Sequence, residues 1–140
     1  MPEKITDIHT NMGRSRICAK VNGKLVCNRI QTKRRVHWVG DPGMGTDRVL
    51  IDREIKNPNE KSKLASHEFV EKIRRERGMG IRKAHKSAMH HEGRYGKRLR
   101  VRQGPYKRRV ERTFRRNKPR RMRMEKRNGR LVRTRRRRSS

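Results

Sequence analysis

Between residues 62 and 92 the chain gathers most of the side chains that could do chemistry, in the stretch SKLASHEFVEKIRRERGMGIRKAHKSAMHHE. His67, Glu68 and Glu71 fall on one helical pattern, His85 and Glu92 on the next, and Gly78-Met79-Gly80 separates the two. Successive helical residues advance by about 100°. His67 and Glu71, four apart, therefore project on one side, with Leu64 and Glu68 beside them. Ala65, Phe69, Val70 and Ile73 form the opposite, apolar face. Taken alone, the first helix reads as a solvated polar face with Glu68–Lys72 and Glu71–Arg75 ion pairs, acid before base. The second helix changes the balance. Ile81, His85, Ala88, Met89 and Glu92 share one face, so an imidazole and a carboxylate stand on an otherwise apolar surface and need partners. Antiparallel packing about the glycine turn brings His85 and Glu92 toward His67 and Glu71. Two imidazoles and a carboxylate with an open position suit Zn²⁺, with Glu68 beside a bound water as a general base. Iron or manganese would take the same donors. The competing reading is a His–Glu hydrogen bond between helices with no metal. His37, His90 and His91 read as exposed, and adjacent His90 and His91 point about 100° apart.

The order Ile51-Asp52-Arg53, then His67-Glu68-x-x-Glu71-Lys72, a glycine turn, Ala84-His85-x-x-Ala88 and Glu92 resembles a group of small, mostly uncharacterised phage and bacterial proteins. These carry a zincin-like HExxE motif followed by an AHxxA helix. The resemblance covers residues 47–93. It implies a metal-binding helical pair with His67, Glu71 and His85 as ligands and Glu68 as base. Glu71 stands where HExxH metallopeptidases have a second His, which argues against peptidase activity. The arginine-rich C-terminal segment has no counterpart in the pattern. Lys72, Arg74, Arg75 and Arg82 bring positive charge to the site unless they point away.

The elements that must position these residues are partly readable. Residues 1–16 read as a polar, loose arm. Residues 17–30, ICAKVNGKLVCNRI, read as a hairpin, because Asn22-Gly23 suits a type I′ turn with positive φ at both central positions. Pairing outward sets Val21 against Lys24, Lys20 against Leu25, Ala19 against Val26 and Cys18 against Cys27. The cysteines land on a non-hydrogen-bonded pair, where Cα atoms lie about 4.5 Å apart. A cross-strand disulfide or two thiols of a metal site are open; for a protein inside a cell the expectation is two reduced thiols side by side. Residues 36–39 and 48–55 are further strand candidates around a Gly40-Asp41-Pro42-Gly43 turn. Trp38 reads as a core residue, with base stacking the lesser alternative. Asn59 offers a cap for a helix running to about Arg77. The second helix runs from Ile81 to Glu92 and Gly93 closes it.

Charge sets the partner. The 140 residues carry a net charge of +31, with 29% hydrophobic and 41% charged residues. That suffices for one small domain and leaves part of the chain without a core of its own. Residues 94–140 hold 23 basic side chains against two acids, Glu111 and Glu125, a net of +21, and the boundary falls near Gly93. Charge of this size points to a polyanion, above all nucleic acid, RNA or DNA. The candidate phosphate contacts are Arg98, Arg100, Arg102, Lys107, Arg108, Arg109, Arg112, Arg115, Arg116, Arg120, Arg121, Arg123, Arg135, Arg136, Arg137 and Arg138. Residues 107–116 could form a basic helix on nucleic acid, and 133–138 is low-complexity arginine. No run is apolar enough to span a bilayer, and the first residues lack a signal pattern, so the expected place is inside a cell or a particle.

The expected fold is α+β: a small antiparallel hairpin or sheet, a two-helix hairpin and a largely irregular basic tail. The units are an arm at 1–16, an α+β domain at 17–93 and a nucleic-acid-binding tail at 94–140. The expected function is a basic nucleic-acid-binding structural protein, of the kind found in a ribonucleoprotein or virion assembly, with a metal site on its helical hairpin. The alternative is a zincin-like metal-dependent hydrolase tethered to nucleic acid or a particle by its tail.

Overall fold

A computed structural model describes residues 3–117, 124–127 and 130–133. The fold is α+β. Strands β1 (Ile5–Asn11), β2 (Arg16–Val21), β3 (Lys24–Lys33), β4 (Gly40–Asp41) and β5 (Arg48–Asp52) form one sheet in the order β1-β2-β3-β5-β4. Helices α1 (Pro58–Glu76), α2 (Ile81–Arg98) and α3 (Gln103–Asn117) follow. A separate antiparallel ribbon pairs β6 (Met124–Arg127) with β7 (Arg130–Arg133).

The hairpin forms in the expected register, with Cys18 opposite Cys27 and Val21 opposite Lys24. Asn22 and Gly23 have φ of 52° and 82°, as the turn requires. The cysteines correct the expectation of free thiols: they form a disulfide across the pair, with Cα atoms 4.1 Å apart. Side chains of a non-hydrogen-bonded pair stand close enough to bond without backbone movement.

Three further expectations are corrected. The loose arm at 1–16 contains β1, which pairs antiparallel with β2 and buries Ile5 and Ile8 in the core. The sheet is mixed and not antiparallel, because β5 lies parallel to β3. Residues 36–39 form no strand. His37–Val39 is a 3₁₀ turn, and the second strand candidate ends at Asp52.

α1 begins one turn-residue pair earlier than its expected cap. Asn57, and not Asn59, is the N-cap, and its side chain accepts from the amides of Asn59 (2.9 Å) and Glu60 (3.2 Å). Pro58 then occupies the first helical turn, where its missing N–H is no loss. The far end closes at Gly78 (φ 95°), where the amide of Met79 reaches the carbonyl of Arg74 at 3.0 Å. Between these ends Ala65, Phe69, Val70 and Ile73 sit in the core against Ile17, Val49 and Ile51 of the sheet.

α2 does not stop at Gly93. It continues to Arg98 because Tyr95, one helical repeat beyond Ala88, is also buried, and its hydroxyl meets Thr10 Oγ1 at 2.9 Å. Its buried line is Ala84, Ala88 and Tyr95, whereas Ile81 and Met89 are exposed. The apolar face read for this helix is therefore rotated from the packed one. Gly96 permits the close approach to α1: a Cβ there would stand 2.7 Å from Lys63 Cε.

Part of the basic tail is ordered against the domain, which corrects the irregular tail. α3 buries Tyr106 and Thr113 and packs Phe114 near the 3₁₀ turn. Arg109 pairs with buried Glu60, and Arg116 with Glu54 at 3.2 Å. Among the described residues no helix is long and apolar enough to cross a membrane.

Candidate metal centre

The centre lies where α1 and α2 face each other beside the 3₁₀ turn. His67 and Glu71 stand on successive turns of α1, so spacing alone puts them together. His67 Nε2 is 3.4 Å from Glu71 Oε1. The glycine turn reverses the chain, and α2 returns His85 to the same carboxylate, with Nδ1 3.3 Å from Glu71 Oε1. The two imidazoles meet edge to face, ring centres 4.8 Å apart. One ligand atom from each of His67, Glu71 and His85 falls within 4.8 Å of the others. Ligands about 2.0–2.1 Å from a tetrahedral ion lie roughly 3.3–3.4 Å apart, and two of the three edges already have that length. His85 is 53% exposed, so its ring is free to close the third.

Glu92 has a different place from the one expected of a fourth ligand. Its Oε1 is 2.8 Å from His67 Nδ1, the nitrogen on the far side of the ring from Glu71. The Tyr106 hydroxyl donates to the other Glu92 oxygen at 3.5 Å. A carboxylate on the distal nitrogen fixes the ring and its tautomer and makes the near nitrogen a better ligand. Without an ion both His67 nitrogens face carboxylates, an arrangement suited to imidazolium. Burial is the largest single influence and opposes that charge, but the hydrogen bonds to Glu71 and Glu92 and the charges of Glu68 and Glu92 together outweigh it and push His67 up to about 10. The bond from His67, stronger than burial, and the bond from His85 hold Glu71 below the usual carboxylate range.

Glu68 lies one residue further round α1 and is buried, contrary to a solvated polar face. The expected Glu68–Lys72 pair does not form; Lys72 turns under the sheet to Asn28 and to the carbonyl of Arg48. Burial, opposed by His67 and reinforced by the charges of Glu71, Asp41 and Glu92, raises the Glu68 carboxyl to about 8. Its seat is made by Gly40, where a Cβ would stand 2.6 Å from Glu68 Oε2. The remaining cations leave the centre. Arg74 donates to Ser87 Oγ and the Glu3 carbonyl, Arg82 is exposed, and only Arg75 stays, 3.4 Å from Glu71 as expected.

A cleft of about 710 Å³ opens onto the centre, lined by His67, Glu68, Glu71, His85 and Glu92 and also by Trp38, Lys63 and Tyr106. Trp38 is not the core residue its sequence suggested: it is 58% exposed. It has φ 61° and Val39 φ 59°, and this left-handed pair turns the indole outward. Two consecutive non-glycine residues in that region, one of them β-branched, need support from outside the turn. Asp52 supplies it by accepting from the Val36 amide at 2.9 Å, and Asn117 donates to the Val36 carbonyl at 3.1 Å. Lys63 was missed, although it precedes His67 by one turn on the same line of α1; its Nζ lies 4.3 Å from the Tyr106 ring centre. No local pattern marked Tyr106, since α3 brings it in from the tail.

No family model, curated protein or solved structure matches the chain.

Of the other histidines, His90 is exposed, His91 half-buried, and His37 packs against Trp38 and Phe114. Among the candidate phosphate contacts, Arg98 donates to the Ile8 carbonyl at 3.3 Å, and Arg109 and Arg116 hold α3 on the domain. Arg100, Arg102, Lys107, Arg108, Arg112 and Arg115 are exposed. Arg120, Arg121, Arg123 and Arg135, Arg136, Arg137 and Arg138 lie outside the described residues.

Proposed function

We propose that this protein is a metal-dependent hydrolase carried on a nucleic-acid-binding chain. The observation that carries the reading is the convergence of His67, Glu71 and His85 within 4.8 Å on the wall of a cleft that also holds buried Glu68. Two imidazoles and a carboxylate with an open side facing a cleft are the donor set of hydrolytic Zn²⁺ sites, and iron or manganese accept the same donors. A bound ion would polarise the substrate and lower the pKa of water at the open position. His67 and His85 supply neutral nitrogens for it, and Glu71 supplies the charge. Glu92 orients His67, and Tyr106 orients Glu92. Glu68 would accept a proton from water: without an ion its carboxyl is raised to about 8 and keeps its proton, and the positive charge of a bound ion would lower it into the range in which a general base works at physiological pH. The HExxE and AHxxA patterns of the sequence agree with these roles.

A second reading, a nucleic-acid-binding structural protein of ribonucleoprotein or virion type with a structural metal, is favoured by the net charge of +31 and the exposed basic side chains of α3. Turnover separates the two. The intact chain loaded with zinc is offered casein and bis(p-nitrophenyl) phosphate, with and without a chelator. Chelator-sensitive hydrolysis of either is expected, and Glu68→Gln should lower it by about 10²–10⁴-fold while keeping the metal. Absence of turnover on both, with zinc bound, would leave the structural reading.

A further inference from the structure

We propose that the cleft beside the metal centre takes one nucleotide of a single-stranded nucleic acid, its base stacked on Trp38. This deepens the hydrolase reading and rests on it for the fate of the nucleotide. The indole is backed on one side by Phe114, with ring centres 3.7 Å apart and planes 15° from parallel. Its other side is open, since the residue is 58% exposed and lines the cleft. A supported aromatic ring with one free face is a stacking platform, and any base offers a π-face to it. The left-handed backbone at Trp38 and Val39 makes the same point. A turn held by Asp52 and Asn117 in an unfavourable conformation keeps an apolar ring out of the core, where burial would stabilise it.

Charge selects the occupant. Lys107 lies exposed at the cleft rim, and Arg108, Arg112 and Arg115 continue along the surface of α3. Deeper in the cleft stands Lys63, a buried ammonium 4.3 Å from the centre of the Tyr106 ring, near enough to Glu92 to feel its charge but in no ion pair within 4 Å among the described residues. Asp41, Glu68, Glu71, Glu92 and Glu111 line the same cleft, so an anionic group is held there by the two lysines together with the ion that the carboxylates and imidazoles would bind. A phosphate joined to a flat ring answers both features, whereas a peptide answers neither as well. A duplex hides its base faces, so the strand must be single. On such a strand, hydrolysis adds water across one P–O bond. The water oxygen bonds to phosphorus, Glu68 takes one of its protons, and that proton passes to the departing sugar oxygen. The second proton dissociates from the new phosphate.

Trp38 is the single tryptophan, so its fluorescence reports this contact alone. The full chain is titrated with a short thymidine oligonucleotide and with an abasic oligonucleotide of equal length and charge. The thymidine strand should quench Trp38, and the abasic strand should bind without quenching. In these variants the tryptophan signal is gone, so binding is followed by the anisotropy of dye-labelled strands: Trp38→Ala should weaken thymidine binding about tenfold and leave abasic binding unchanged, with Trp38→Phe retaining most of the difference. Lys63→Gln should weaken both strands. Equal quenching by both strands, no quenching, or equal loss in Trp38→Ala would overturn the proposal. Hydrolysis of casein alone, with Trp38 unquenched, would sink it and spare the hydrolase reading. Base-dependent quenching without metal-dependent turnover would uphold the nucleotide site and sink the hydrolase.

Discussion

His67 is the residue on which the centre turns, because each of its nitrogens has a separate task. Nε2 faces Glu71 and His85, while Nδ1 is held by Glu92. Glu92→Gln keeps the size of the side chain but weakens the hold on the ring. Zinc affinity should fall about tenfold with the fold intact, as measured by competition with a chelating dye. Protons compete for the same nitrogen. The folded His67 sits at about 10, above its ordinary 6.5, so its stabilising contribution is full below pH 6.5 and is lost as pH rises through 10. Glu68, raised from 4.5 to about 8, acts with the same sign, since the folded protein keeps a proton the unfolded chain releases. Metal-free protein should therefore resist urea less near pH 10 than near pH 7, and zinc affinity should rise with pH. The spacing of His67, Glu71 and His85 was legible because the helical period and a glycine turn are local signals. Trp38 was not, because its left-handed backbone depends on Asp52 and Asn117, distant in the chain.

At the scale of elements, α1 and α2 hold the centre only if they approach closely, and at Gly96 the side chain of Lys63 fills the space a Cβ would take. Gly96→Ala would drive a methyl group to within 2.7 Å of Lys63 Cε. Those Lys63 atoms are the flexible end of a side chain and alanine is the better helix former, so the variant should change urea stability by no more than about 1 kcal/mol; a larger loss would mean that the Lys63 stem is locked in place. The register of β2 and β3 was readable from Asn22-Gly23, since a two-residue turn dictates pairing by itself. The placement of β1 and the parallel pairing of β5 with β3 were not, because both depend on which distant strands share an edge. Gly93 looked like a helix stop, and the burial of Tyr95 overrode it.

For the molecule as a whole, composition announced a small core and a large positive charge, and both are present. It could not announce that α3 folds back on the domain, since that rests on Tyr106, Thr113 and the pairing of Arg109 with Glu60. The consequence is that one helix both completes the cleft wall, through Tyr106 and Lys107, and carries exposed arginines away from it. The candidate metal centre, the cleft and the basic surface thus belong to one arrangement. The claim beneath it is that three side chains share one ion. Purified intact chain, the His67→Ala variant and the His85→Ala variant are each loaded with zinc, desalted and analysed for bound metal. The account predicts one zinc per wild-type chain and loss of that zinc in both variants, with the fold retained. A wild-type chain that holds no zinc, iron or manganese, or variants that hold as much as wild type, would contradict it.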